Sequence, residues 1–296
     1  MDESQGLAEQ FEQSRGRLRA VAFRMLGSLN ETDDAVQEAW LRLNRSDASE
    51  IENLGGWLTT VVARVCLDIL RSRASRREES LDTAGQAEPA IPAKHGVDPE
   101  QEALMADAVG IALLVVLDRL NPAERLAFVL HDLFDLSFDE IASMLDRTPE
   151  SARQLASRAR RRVRGTAVPP DAHPARQREM VQSFLAALRS GDLPALLAVL
   201  DPDVVVRADA VAAVGGTQRE VRGARDWAPE AIRAARGARF AHLAMVDGAV
   251  GLIVAPKGRL FRVLHFSFIG DKIAAIEVVG DRDRMRAMEI ALLYES

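Results

Sequence analysis

Cysteine is almost absent. With Cys66 as its only thiol the chain has no internal disulfide. Its place in the apolar run 61–70 marks it as a small buried hydrophobe. Aromatic residues are scarce, at 5% of 296 positions, so the cores must rest on Leu, Val, Ile and Ala. No apolar run approaches the roughly 20 residues that a helix needs to span a bilayer. The opening stretch 1–13 is acidic and polar and does not read as a signal peptide. No Cys/His metal spacing, Ser-His-Asp order or phosphate-binding glycine loop is present. Together these point to the cytoplasm, and no metal or cofactor is expected. What remains is globular in composition, 48% hydrophobic and 28% charged, and long enough for two or three domains. The net charge of −6 argues at first against nucleic acid, but it averages over segments of opposite sign.

The most basic segment is also the best patterned. Phe138, Ile141, Ala142 and Leu145 fall on one helical face. Asp146-Arg147-Thr148 interrupts it, with Thr148 suited to an N-cap and Pro149 to a first helical turn. A second helix then sets Ala152, Leu155, Ala156, Ala159 and Val163 on one side. Its other side carries Arg153, Gln154, Ser157, Arg158, Arg160, Arg161, Arg162 and Arg164. Residues 147–164 hold seven Arg against one acid, Glu150, where a solvated helix face usually mixes signs. Two short helices, a tight turn and a basic second helix predict a helix-turn-helix. Arginine suits phosphate contact, and Arg or Gln can read purine edges.

Upstream, a helix over 11–26 buries Leu18, Val21, Ala22, Met25 and Leu26. A second buries Ala35, Val36, Ala39, Trp40 and Leu43 and opens with Glu31, Asp33, Asp34 and Glu38. Gly55-Gly56 introduces a third, opened by Trp57 and closing on Arg71, Arg73, Arg76 and Arg77. Four arginines in seven residues exceed what a helix dipole calls for, so a second nucleic-acid contact is expected. From 78 to 102 the pattern vanishes into three prolines and seven acids, a flexible linker. Helices resume near Ala103. Ile111 to Leu120 is strongly apolar, Asn121-Pro122 starts another helix, and Leu126, Val129, Leu130, Leu133 and Phe134 form its face. Beyond a short proline-rich linker at 168–174, helices give way to apolar runs over 204–207, 240–246, 251–255, 260–268 and 273–279. Asp247-Gly248, Pro256-Lys257-Gly258 and Gly270-Asp271 separate them as hairpin turns. Helices followed by a curved antiparallel sheet make an α+β domain.

Three motifs in this order resemble the extracytoplasmic-function sigma factors of RNA polymerase: D-D-A-V-Q-E-A-W-L-R-L at 33–43, W-L-T-T-V-V-A-R-V-C-L-D-I-L-R-S at 57–72, and L-N-P-A-E-R-L-A-F-V-L-H-D-L-F at 120–134 with A-R-Q-L-A-S-R-A-R at 152–160. The remainder resembles the SnoaL-like (NTF2-like) domain carried by one branch of that group, with Asp209-Ala210-Val211 standing where an Asp-Gly-Gly-Gly motif is expected. The resemblance implies two all-α sigma domains, 1–80 and 103–166, joined by an acidic linker at 81–102, and an α+β cone domain at 167–296. It implies core RNA polymerase and promoter DNA as partners. Asp33, Asp34, Gln37, Glu38 and Leu41 would meet the polymerase. Arg64, Asp68, Arg71, Arg73 and Arg76 would line the −10 strand, and Arg153, Gln154, Ser157, Arg158 and Arg161 the −35 groove.

Two other classes stay open on the residues alone. A stand-alone helix-turn-helix regulator with a ligand-sensing C-terminal domain leaves the acidic 31–38 helix unexplained. An enzyme would draw on Asp209, His242 and His265, although a lone His in an apolar strand is usually a core residue. A further expectation concerns regulation. Following the DNA readers so closely, the C-terminal domain should pack across both and hold them compact, partly covering the arginine face. Residues 205–207 and 281–286 would make that contact.

Overall fold

The structure is a computed structural model, and it describes residues 3–46, 51–81, 110–165, 174–213 and 215–293. Among the described residues these helices come first: α1 (Glu3–Leu26), α2 (Leu29–Leu43), α3 (Leu54–Leu81), α4 (Ile111–Asp118), α5 (Pro122–Phe128), α6 (Phe138–Leu145) and α7 (Pro149–Arg164). A π-helical turn, Val129–Leu133, extends α5. The rest is α+β: α8 (Pro174–Ser190), α9 (Leu193–Val199), β1 (Leu200–Ala208), β2 (Arg219–Arg222), α10 (Ala224–Ala234), β3 (Ala241–Val246), β4 (Ala249–Val254), β5 (Arg262–Ile269), β6 (Lys272–Val279), α11 (Arg282–Ala287) and β7 (Ile290–Ala291). Among the described residues no helix is long and apolar enough to cross a membrane. The linker expected at 81–102 lies, apart from Leu81, outside the described residues.

Two compact units form. One gathers α1 to α3 and Leu117–Arg160; the other gathers Gly110–Val116 and the chain from Arg161 on. The division falls inside α4 and α7, so the outer ends of the helix-turn-helix segment pack with the sheet. In the first unit Leu18, Val21 and Met25 of α1 meet Val36, Ala39 and Leu43 of α2 and Leu58, Val62 and Leu67 of α3, all fully or nearly buried. Cys66 is buried in the same core. Gly27, at φ +67, ends α1 in a conformation open to glycine. Asn53, rather than the Gly55-Gly56 pair, starts α3: its side chain accepts the Gly56 N–H at 3.0 Å, and both glycines lie inside the first turn. Asn121 caps α5 in the same way, accepting from Glu124 at 2.8 Å.

The second unit holds one seven-stranded sheet in the order β2-β1-β6-β5-β4-β3-β7. Two hairpin turns fall where the sequence puts them, with positive φ at Asp247, Gly248 and Gly270. The sheet is mixed, not purely antiparallel, because β1 and β6 run parallel. α8, α9 and α10 pack on one face over Val181, Phe184, Leu196, Phe266 and Ile276. Phe184 stacks against Trp227 at 6.1 Å and meets Phe266 edge-on at 5.2 Å. Two ends of the preceding segment belong to this unit. Val163 O of α7 accepts the Leu292 N–H at 3.0 Å, and Leu114 of α4 lies within 3.1 Å of where a Cβ on Gly258 would stand. Gly165, at φ +72, presses on Ala291 so closely that a Cβ there would stand 2.6 Å from the Ala291 Cβ.

Candidate nucleic-acid interface

The helix-turn-helix forms as the residues predict. Ser137 and Glu140 make a reciprocal capping box at the start of α6, Ser137 N–H donating to Glu140 Oε2 at 2.9 Å and Glu140 N–H to Ser137 Oγ at 3.3 Å. The Ser137 hydroxyl, donating to Glu140 Oε2 at 2.7 Å, and the Ser137 N–H hold the Glu140 carboxyl below its ordinary value. Asp146 closes α6 in the left-handed region, and Thr148 Oγ1 accepts the Ser151 N–H at 3.2 Å to open α7. Along α7 Ala152, Leu155, Ala156, Ala159 and Val163 are buried, while Arg153, Gln154, Ser157, Arg158 and Arg161 are exposed. All five of the expected groove-facing residues therefore share the solvent-exposed side of the helix. Arg160, between the two faces, is tied to Asp132 at 2.5 Å. Arg153 is held from two sides: Glu150 accepts from it at 2.7 Å, and its guanidinium lies 5.2 Å from the Phe138 ring centroid.

The five residues expected along the −10 strand share α3 but not one environment. Asp68, Arg71 and Arg76 are exposed, Asp68 and Arg71 being 4.0 Å apart. Arg64 is exposed too, yet it donates to the Ser143 carbonyl of α6 at 3.0 Å. Arg73 is half-buried, donating to Leu26 O at 3.2 Å and pairing with Glu31. So part of the expected DNA surface is spent inside the unit: Arg73 closes the end of α1, and Arg64 reaches the helix-turn-helix.

On α2 the outward residues are Asp33, Asp34, Gln37 and Leu41, with Glu38 half-exposed. Asp33 pairs with Arg19 at 2.9 Å and Glu38 with Arg42 at 2.8 Å. Leu41 is 39% exposed, a large apolar side chain in an acidic stripe. That combination suits an anchor in a charged docking face.

Sequence reading missed Arg125. It is only 2% exposed and bridges two expected domains within one unit. Its Nε and Nη2 donate to Arg24 O at 3.2 and 3.1 Å, and Nη1 reaches Asp118 at 3.5 Å. Burial lowers its pKa to about 10, with the Asp118 charge opposing. Around it Arg17 donates to Phe134 O at 3.3 Å and Arg24 sits 5.2 Å over the Phe134 ring. The signal was there: a Glu-Arg pair between Pro122 and Leu126, with Glu124 also buried. Leu133, expected on the apolar face, is instead 37% exposed, because the π-helical turn shifts the phase of that face.

Of the residues named for acid–base work, Asp209 is engaged structurally. Asp209 accepts N–H groups from Ala212, Gly280 and Asp281 at 2.8, 2.9 and 2.9 Å and lies 3.6 Å from Arg284. His242 lies half-buried on β3 and His265 on β5. Of the segments expected to contact the readers, Arg207 pairs with Glu220, and Asp281 caps α11.

Comparison with known proteins decides the family. The probable ECF RNA polymerase sigma factor SigI of Mycobacterium tuberculosis is 35% identical over 90% of this chain and 90% of its own length. The chain belongs to the extracytoplasmic-function RNA polymerase sigma factors. Within this sigma factor the Sigma-70 region 2 family matches residues 10–76, and the Sigma-70, region 4 family matches 111–163. ECF RNA polymerase sigma factor SigJ of the same species is 42% identical over 72% of this chain and 70% of that one. The crystal structure of SigJ aligns over 94% of this chain and 98% of that one, at 31% identity and a TM-score of 0.47. Region 2 thus corresponds to α1–α3, and region 4 to the helix-turn-helix and the helices before it.

Proposed function

We propose that this sigma factor binds core RNA polymerase through the acidic face of α2, reads the −10 strand along α3 and enters the −35 major groove with α7. The observation that carries this is α7 itself, whose five expected reading residues are all exposed while its apolar stripe is fully seated. Each reader alone offers a small, salt-sensitive contact. Held together on one polymerase, the second contact becomes intramolecular and gains effective concentration. The SnoaL-like C-terminal domain acts in cis on region 4. What supports this is that its sheet engages both ends of that region, Leu114 at the start and Val163 with Gly165 at the finish.

Reversing charge on α2 tests the polymerase contact. Asp34→Arg with Glu38→Arg lies on an exposed face and should leave folding intact while abolishing association with core polymerase. Unchanged co-purification would remove the role of α2. Truncation after Gly165 tests the regulation: promoter-DNA binding without polymerase should rise. If it does not, the domain has another task, ligand sensing among them.

A further inference from the structure

A stack of planar groups stands behind the start of the recognition helix. The His131 and Phe138 rings lie 3.9 Å apart, centroid to centroid, inclined by 30°. On Phe138 sits the Arg153 guanidinium, 5.2 Å from the ring centroid. Glu150, one turn back on α7, takes one edge of that guanidinium at 2.7 Å. His131 Nδ1–H donates to Leu136 O at 2.8 Å, which fixes the ring at the base of the stack. Three elements therefore converge on one exposed side chain: the π-helical turn, the first turn of α6 and the first turns of α7.

We infer that Phe138 and Glu150 are positioning residues that preset Arg153 for reading a base edge in the −35 element. A free arginine on a helix surface samples many rotamers and finds phosphate as readily as base. Stacking on an aromatic face limits the plane of the guanidinium. The Glu150 carboxylate occupies one edge and repels a phosphate from that side. The donors not spent on Glu150 are left to read two acceptors of a guanine as a fork. Neither Phe138 nor Glu150 needs to touch DNA for this. His131 stacks on Phe138 as well, so these contacts also link the π-helical turn after α5 to the reading surface.

The inference rests on Arg153 being a base reader, so the test includes that residue. Full-length variants are reconstituted with core polymerase. Initiation is measured on single-base variants of the −35 element of a promoter selected by the unmodified protein from a randomised library. Arg153→Ala should lower discrimination by about 10-fold or more at one position. Phe138→Leu, which keeps an apolar side chain but removes the aromatic face, should lower discrimination several-fold at that same position and leave other positions unchanged. Phe138→Trp should restore it. Glu150→Gln should weaken the same preference and steepen the salt dependence, because the freed guanidinium then reaches a phosphate. If Arg153→Ala changes no base preference, Arg153 is not a reader and the inference falls with that reading. If Arg153→Ala collapses the preference while Phe138→Leu leaves it intact or weakens all sequences alike, Arg153 reads unaided and the positioning role is overturned.

Discussion

Replacing Arg125 should separate the two DNA-reading regions within the first unit. Its guanidinium, 2% exposed, joins the end of α1, through Arg24 O, to α5. Two N–H groups share a single carbonyl, so they count as one strong charge-assisted interaction, about 1.5–3 kcal/mol. The Asp118 pair adds little, since that carboxylate is 45% exposed and is rehydrated when released. Losing the buried charge also removes its desolvation cost, which offsets part of the loss. A net figure of about 2 kcal/mol follows, or roughly 30-fold in the ratio of packed to separated forms. Arg125→Met keeps the length of the stem and deletes only the polar contacts. Hydrogen exchange should then speed up about that much in the last turn of α1 and in α5, with the centre of α3 unchanged. The Ser143 contact of Arg64 depends on the same packing, so a single-stranded −10 oligonucleotide should bind more tightly to the variant. Exchange within two-fold of the unmodified protein at both sites would refute the reasoning and make Arg125 a passenger of the α3–α5 contact.

Ser137→Ala removes the hydroxyl's half of the capping box, leaving the backbone N–H to Glu140 in place, and should lower the stability of the first unit by about 1 kcal/mol in denaturant unfolding. The same change should let the Glu140 carboxyl rise toward its ordinary value in a titration followed by NMR. Burial pushes the Cys66 thiol from 9.0 up to about 12, against the Arg125 charge. The unfolded chain releases that proton near 9 and the folded one near 12, so this stability is complete below pH 9 and is lost as pH rises through that window. Arg125, lowered to about 10, contributes the opposite slope above pH 10, and the difference between the unmodified protein and Cys66→Ala isolates the thiol. Burial pushes Asp209 up, but the N–H groups of Asp281, Ala212 and Gly280 and the Arg284 charge prevail and hold it below its ordinary value. Its contribution is present above the unfolded pKa and fades as pH falls through the folded one, so Asp209→Asn should flatten the acid end of the second unit's unfolding profile.

The reading helix was legible because its information is local. A 3.6-residue period, Thr148, Pro149 and a run of arginines define α7 without reference to any distant group, and the structure seats its two faces as those residues require. The turns at Asp247-Gly248 and Gly270-Asp271 were legible for the same reason. What escaped depends on contacts far apart in the chain. The parallel pairing of β1 with β6 joins segments about seventy residues apart, and nothing in either strand states its direction. β7, only two residues long, exists because Met245 and Val246 offer it an edge. Arg125 looks like a solvated arginine on a short helix until α1 supplies the carbonyl that keeps it buried. Asp209 looks like a catalytic carboxylate until the loop before α11 brings it the N–H groups of Gly280 and Asp281.

The central claim is that two readers on one chain recognise a promoter at a spacing set by the polymerase. The most direct measurement is transcription by core polymerase reconstituted with the full-length protein on a library randomised across both elements. The account predicts that initiating templates share two short motifs at one fixed spacing, and that Arg153→Ala alters the upstream motif alone. Templates enriched for a single motif, or the same motif bound equally well by the protein without polymerase, would contradict it.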